Sequence, residues 1–258
     1  MSYSLNFLGT GTSHGIPVIG CKCATCTSTN PKNKRYRSSV LFTKDGKNLL
    51  IDTTPEFRLQ ALRANLNELE GVLYTHIHAD HVHGIDDLRV FTTKTSLPIY
   101  GSEATIKHIE KHFTYVIKSE TAYKKAAVPH LYTNVLEAYK TYNIGGFEVT
   151  PLIIYHGDMP IFGYRIFNVA YLTDTNNIPE KTLEYLKDLN LLVLVALQHK
   201  EHKTHYNISQ AVAMAKRIGA KQTLFTHIAH GLEHEKDNAD LPPTMALAYD
   251  TLEMNFEE

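Results

Sequence analysis

No run of eighteen or more apolar residues occurs in the chain, so no membrane-spanning helix and no membrane partner are expected. The opening stretch MSYSLNFLGTG lacks a basic region followed by a long apolar segment. No secretory leader is read there, and the cytoplasm is the expected location. An excess of charge of one sign is also missing: the formal net charge is -1. That balance gives no reason to expect a stable nucleic-acid complex. No internal repeat, low-complexity tract or linker interrupts the sequence, so residues 1–258 read as one domain long enough for a substantial core. Cysteine is scarce. The three that occur lie between Cys21 and Cys26, and an odd, tightly clustered set cannot make a disulfide framework. In a reducing compartment such a set points instead to metal.

Histidine is abundant, with fifteen residues. Four fall within VLYTHIHADHVHGID, residues 72–86, just after an apolar run that reads as a strand. His76, His78, Asp80 and His81 form the pattern H-x-H-x-D-H. Residues two apart in a strand share a face, so His76 and His78 are expected to bind one ion together. Once the chain turns, Asp80 and His81 face a second position. Imidazole and carboxylate donors suit zinc, manganese or iron, and two such ions can share a bridging hydroxide. Further donors stand at the ends of other apolar segments: His156 after LIIY, Asp174 in YLTDT and His227 in LFTH. Singly, each is more often structural than a ligand. As a set with the main motif they are far more specific than a histidine-rich surface loop.

The remaining pattern is strand-rich, with helices in both halves. SSVLFTKDGKNLLIDT reads as a hairpin about a Lys-Asp-Gly-Lys turn. PEFRLQALRANL, ATIKHIEKHFTYVIK and PEKTLEYLKDLN have helical spacing, and DDLRVFTTKT reads as a helix start. NISQAVAMAKRIG reads as a helix closed by Gly219, and LLVLVALQ as a fully buried strand. The whole points to an α/β sandwich with its polar clusters at strand ends.

These motifs, in this order from Gly9 to His230, resemble the metallo-β-lactamase superfamily. The resemblance implies an αββα sandwich with metals at one edge. It assigns His76, His78 and His156 to one ion, and Asp80, His81 and His227 to the other, with Asp174 bridging. Asp52, ending LLID, has two readings: it orients a ligand imidazole through that ring's other nitrogen, or it caps the following helix, a role Thr53 or Thr54 could equally fill.

GCKCATC is C-x-C-x-x-C, three thiolates that can wrap a zinc ion but leave it one ligand short. The opening GTG…G.P..GC.C..C resembles the PhnP-like branch of the superfamily, the phosphoribosyl cyclic phosphodiesterase-like enzymes. That resemblance supplies His230 as the fourth ligand, giving a closed structural zinc site with Cys21, Cys23 and Cys26. It also places His205 near the phosphate, and homodimers occur in that branch. His199 and His202 lie close by and read as solvated.

The expected activity is metal-dependent hydrolysis of a small, cyclic phosphodiester by a hydroxide bridging two divalent ions, manganese or zinc with iron as a further candidate. Asp80 holds one ion and accepts a proton from the nucleophile. His205 donates to the departing alkoxide, help worth about 100- to 10,000-fold. Three other readings stand beside it: a transfer-RNA 3′-end endoribonuclease, a thioester or lactone hydrolase, and a non-catalytic metal-binding protein. No long glycine- and proline-rich arm for gripping tRNA is present. The lysine- and tyrosine-rich stretch from about 101 to 142 reads as a helical cap rather than a substrate rim.

Overall fold

The computed structural model describes residues 2–93, 95–117 and 128–257. Six strands come first: β1 (Ser2–Gly9), β2 (Ser39–Lys44), β3 (Lys47–Ile51), β4 (Gly71–Leu73), β5 (Leu97–Gly101) and β6 (Leu131–Val135). Seven more follow: β7 (Tyr142–Ile144), β8 (Phe147–His156), β9 (Met159–Ile166), β10 (Val169–Leu172), β11 (Leu191–Val195), β12 (Gln222–Thr226) and β13 (Met245–Leu247). The chain then returns as β14 (Glu253–Glu257) to the edge of the first group. Two seven-stranded sheets result, in the orders β14-β1-β2-β3-β4-β5-β6 and β13-β12-β11-β10-β9-β8-β7. Each is antiparallel in one part and parallel in the other. β3 to β6 run parallel in the first sheet, and β10 to β13 in the second.

Alternation along the strands shows why two sheets pack face to face. In β3, Leu49 and Ile51 enter the core between the sheets, while Leu50 joins the outer cluster with Phe57 and Ile109. In β11, Leu191 and Val193 face inward, and Leu192 and Leu194 pack outward against Ile208, Ala211 and Ala215. A strand covered on both faces must be apolar throughout, which is why LLVLV carries no polar residue. The layers are therefore helix, sheet, sheet, helix, an αββα sandwich.

Helix Ile208–Ile218 is held at both ends. The Asn207 side chain accepts from Gln210 N at 2.9 Å in a capping box, and Gly219 closes the helix at φ 73°. Other helices are shorter than their spacing implies. The 103–117 stretch is two helices, Glu103–His112 and Thr114–Ile117, broken at Phe113. PEKTLEYLKDLN is helical only over Glu180–Glu184, and DDLRVFTTKT contributes to a 3₁₀ turn, Ile85–Thr92. Of the 101–142 stretch, residues 118–127 lie outside the described residues, so its part as cap or rim is not assigned. Among the described residues, no helix is long and apolar enough to cross a membrane.

Candidate active site

Six strands deliver chemistry at one edge of the sandwich. Beyond the ends of β3, β4, β10 and β12 lie Asp52, the His76–His81 motif, Asp174 and His227; β8 ends on His156, and the loop after β11 carries His205. Three of these residues turn sharply with left-handed backbone: Asp52 at φ 64°, Asp174 at 55° and His227 at 56°. Such backbone is costly outside glycine and persists where surrounding contacts enforce it. The strand expected to carry His76 and His78 ends before them. β4 stops at Leu73, so His76 and His78 lie in the loop that follows, and Asp80 and His81 sit on the short helix Ala79–Val82. It is the loop, not strand pleating, that brings the first two imidazoles together.

Asp174 sits among the donors. Its Oδ2 lies 3.3 Å from His81 Nε2 and 3.1 Å from His227 Nδ1, and His205 Nε2 lies 3.2 Å from its Oδ1. Asp80 Oδ2 is 3.3 Å from His81 Nε2. On the other side, His76 Nε2 approaches His78 Nδ1 to 3.0 Å, and the His156 ring stands 5.0 Å from that of His78. Ligand atoms of Asp80, His81, Asp174 and His227 gather within 4.8 Å of one another, as do those of His156, Asp174 and His205.

The outer nitrogens of these rings are tied down. His81 Nδ1 donates to Asp52 Oδ2 at 2.7 Å. Thr75 gives its amide and hydroxyl hydrogens to the same carboxylate, at 2.9 and 2.8 Å, so its oxygen is free to accept from His76 Nδ1 at 2.9 Å. His156 Nδ1 faces two carbonyls, of Asp174 at 2.8 Å and Thr204 at 3.1 Å, and must carry the hydrogen there. Thr12 Oγ1 meets His227 Nε2 at 3.2 Å. Asp52 thus orients imidazoles rather than capping a helix; Thr54 Oγ1 accepts from Glu56 N at the start of helix Phe57–Arg63.

Whether a metal fits can be judged from the inner atoms. His81 Nε2 and His227 Nδ1 are fully buried and make no hydrogen bond, although carboxylate oxygens stand close by. Buried polar nitrogens without partners are costly, and lone pairs converging on shared carboxylates suit a cation. The 3.0–3.3 Å separations match the edge of about 3.3 Å between two nitrogen or oxygen donors around one zinc ion. Charge agrees with this. Burial disfavours the imidazolium of His81, yet Asp174, Asp80 and Asp52 outweigh it and hold its pKa well above the ordinary value. Burial also opposes ionisation of Asp174, but His227 and His81 keep its pKa well below the usual carboxylate range. Burial pushes His227 down to about 4, leaving it neutral and able to ligate.

The cysteine segment, residues 21–26, forms a second donor set that His230 closes from far along the chain. His230 Nδ1 lies 3.3 Å from Cys21 Sγ, 3.5 Å from Cys23 Sγ and 3.5 Å from Cys26 Sγ. Sulfur and nitrogen at ordinary zinc bond lengths in a tetrahedron are about 3.5 Å apart, so these four donors fit one zinc ion with no open position. The backbone N–H of Cys26 lowers the Cys23 thiol to about 6, while burial pushes Cys26 up to about 11.

Residues 47–228 match the model of a β-lactamase superfamily domain. A solved structure described as a new diphosphatase from the PhnP family superposes with TM-score 0.92 at 39% identity, covering 99% of this chain and 98% of that one. The chain belongs to the PhnP-like branch of the metallo-β-lactamase superfamily. Two relatives extend the comparison. Ribonuclease Z of Bacillus subtilis (strain 168) is 26% identical over 97% of this chain and 98% of its own length. Octanoyltransferase of Porphyromonas gingivalis (strain ATCC BAA-308 / W83) is 37% identical over 97% of this chain, which spans about half (51%) of that relative's length. By its family and by its diphosphatase and ribonuclease relatives, this member of the superfamily is a metal-dependent hydrolase.

Several residues at the site carried no signal as single letters. Thr12, Thr75 and Thr204 are ordinary threonines until the fold places them on ring nitrogens. His202, which reads as solvated, has Nδ1 3.1 Å from His205 Nδ1. His199 is largely exposed yet pairs with Asp237 at 2.8 Å.

Proposed function

We propose that this protein hydrolyses a small phosphodiester, with two divalent cations held by His76, His78 and His156 on one side and Asp80, His81 and His227 on the other, and Asp174 between them. A cyclic phosphodiester of a sugar or nucleoside is the substrate we favour, and manganese, zinc or iron the ions. The observation that carries the reading is the convergence of imidazoles and carboxylates from four strand ends, with two buried ring nitrogens, His81 Nε2 and His227 Nδ1, left without a hydrogen-bond partner and with donor spacings that suit coordination. Divalent ions bound there supply water of lowered pKa and neutralise charge on a phosphoryl oxygen.

The chain's own residues do the rest. Asp80 stays ionised, since His81 and His227 outweigh the burial that opposes its charge, and it can accept the nucleophile's proton. His205 is buried beside Asp174 with Thr204 Oγ1 at 3.0 Å from its Nδ1, which orients the ring. Its Nε2 is the proton donor we assign to the departing alkoxide. Asp52 and Thr75 keep His81 and His76 in one tautomer and one orientation. The cysteines and His230 hold a structural zinc that fixes the loop carrying Thr12 against His227.

Full-length similarity to ribonuclease Z keeps an RNA 3′-end endonuclease as the second reading. The test is hydrolysis of bis-p-nitrophenyl phosphate with and without a chelator, beside a precursor tRNA and a thioester. Chelator-sensitive turnover of the diester is the expected result. A His205→Ala variant that keeps its metals and full activity would remove that residue from the mechanism.

A further inference from the structure

A cavity of about 370 Å³ opens beside His205, within the 300–1,000 Å³ typical of small-ligand sites. It begins at His205, whose Nε2 touches the Asp174 carboxylate, and it ends at His230 of the cysteine cluster. Leu197 and Ala229, both buried, and half-buried Val18 give it an apolar lining. Exposed His14 and His202, with half-buried Gln198, add flat π faces and amide and imidazole hydrogen-bonding groups. Among the described residues, no lysine or arginine lines it.

The walls are built rather than loose. Gly15 N donates to Thr12 O at 2.8 Å in a turn that needs the positive φ of Gly15, 63°. Arg37 Nε holds Ser13 O at 2.8 Å, and Ala229 N binds Leu197 O at 2.8 Å. On the far side, Val18 N donates to Cys26 Sγ at 3.3 Å, so the cysteine cluster fixes that wall.

We propose that this cavity binds the nucleobase of a nucleoside phosphate whose phosphoryl group lies at the Asp174 cluster. The inference rests on the phosphodiesterase reading and deepens it. Three features choose the occupant. Without cationic side chains the cavity has nothing to neutralise a further phosphate. Against Leu197, Ala229 and Val18 a bare sugar would leave hydroxyls unpaired, which is costly. A base presents an apolar face for that lining and for stacking on imidazole, and a polar edge for Gln198, His14 and His202. The residues His14, Gln198 and His202 then set specificity.

Isothermal titration of the metal-loaded protein with adenosine 5′-monophosphate and with ribose 5-phosphate tests this without turnover. The base should tighten binding at least tenfold. Ser13→Trp, at the exposed mouth, should erase most of that preference, and His14→Ala should reduce it about threefold; the second variant keeps the test open if the first fails to fold. Equal affinities in the wild type, or a preference untouched by both variants, would overturn the inference. Loss of bis-p-nitrophenyl phosphate hydrolysis as a property of the wild type would instead overturn the phosphodiesterase reading, so the two failures are distinguishable.

Discussion

The two donor clusters in this chain border one cavity, His205 beside Asp174 at one end and His230 at the other, and are built on opposite plans. The cysteine set is local: three ligands come from six residues of one loop, and one, His230, from the segment after β12. Its four donors exhaust a tetrahedron. The Asp174 set is dispersed. Its ligands come from the ends of four strands, it contains more donors than one ion uses, and polar groups stand behind the rings of His76, His81, His156 and His227. A closed thiolate shell suits a staple, and an oxygen- and nitrogen-rich shell with Asp174 shared between sets suits chemistry. Position reinforces the contrast. Cys21, Cys23 and His230 are half-exposed at the rim, whereas His81, Asp174 and His227 are buried.

The largest expected effect removes what the dispersed cluster shares. Asp174→Ala should lower diesterase activity on the order of a thousandfold or more and reduce bound active-site metal, leaving the cysteine-site zinc in place. Element analysis beside kinetics reads both; a variant that kept all its metal would erase the contrast between the clusters. Next comes the support behind the ligands. Asp52→Asn leaves every ligand in place but unbinds the hydrogen-bonded frame of His81 and Thr75, and should cost about 10- to 100-fold in metal affinity or activity.

Cys26→Ser tests the staple. We expect one metal per chain fewer, a lower melting temperature, and a rise in KM that exceeds the fall in kcat, because the loop it holds forms a wall of the cavity beside His205. An equal loss in kcat at unchanged KM would mean the two clusters are chemically coupled.

Proton competition should also be visible at the dispersed cluster. The Asp174, Asp80 and Asp52 carboxylates raise the His81 pKa and so favour its imidazolium in the metal-free protein. A cation at Nε2 must displace that proton. Metal uptake at this cluster should therefore release protons, and affinity should fall as pH falls; calorimetric titration in buffers of different ionisation enthalpy measures this. An affinity flat from pH 6 to 8 would contradict the protonation state assigned to His81. The smallest effect lies away from both clusters. Asn207→Ala removes the capping box of helix Ile208–Ile218 and should cost about 1 kcal/mol of stability with little change in metal content.

How far the sequence foretells all this differs between the clusters in the same way. Cys21, Cys23 and Cys26 announce themselves because their spacing is local. The H-x-H-x-D-H residues do too, although the strand geometry inferred for His76 and His78 is replaced by a loop, since three residues suffice for β4 between its neighbours. Sandwich architecture is legible from alternation in LLVLV and its neighbours, where burial on both faces leaves a continuous apolar run. Helix ends are less so: Phe113 interrupts a regular 3.6-residue spacing, and tertiary packing rather than periodicity decides where each helix stops. Asp52 gains its single meaning only when Thr75 and His81 arrive from another strand. Thr12, Thr204 and His202 carry no pattern at all, because their roles depend on contacts between segments far apart in the chain.

The most direct test is element analysis of the purified protein, repeated on Cys26→Ser and Asp174→Ala. About three metal ions per chain are expected, about two in the cysteine variant, and a selective loss of the non-thiolate ions in the aspartate variant. A single ion per chain that disappears only with Cys26 would contradict it, for the gathered imidazoles and carboxylates would then hold no metal.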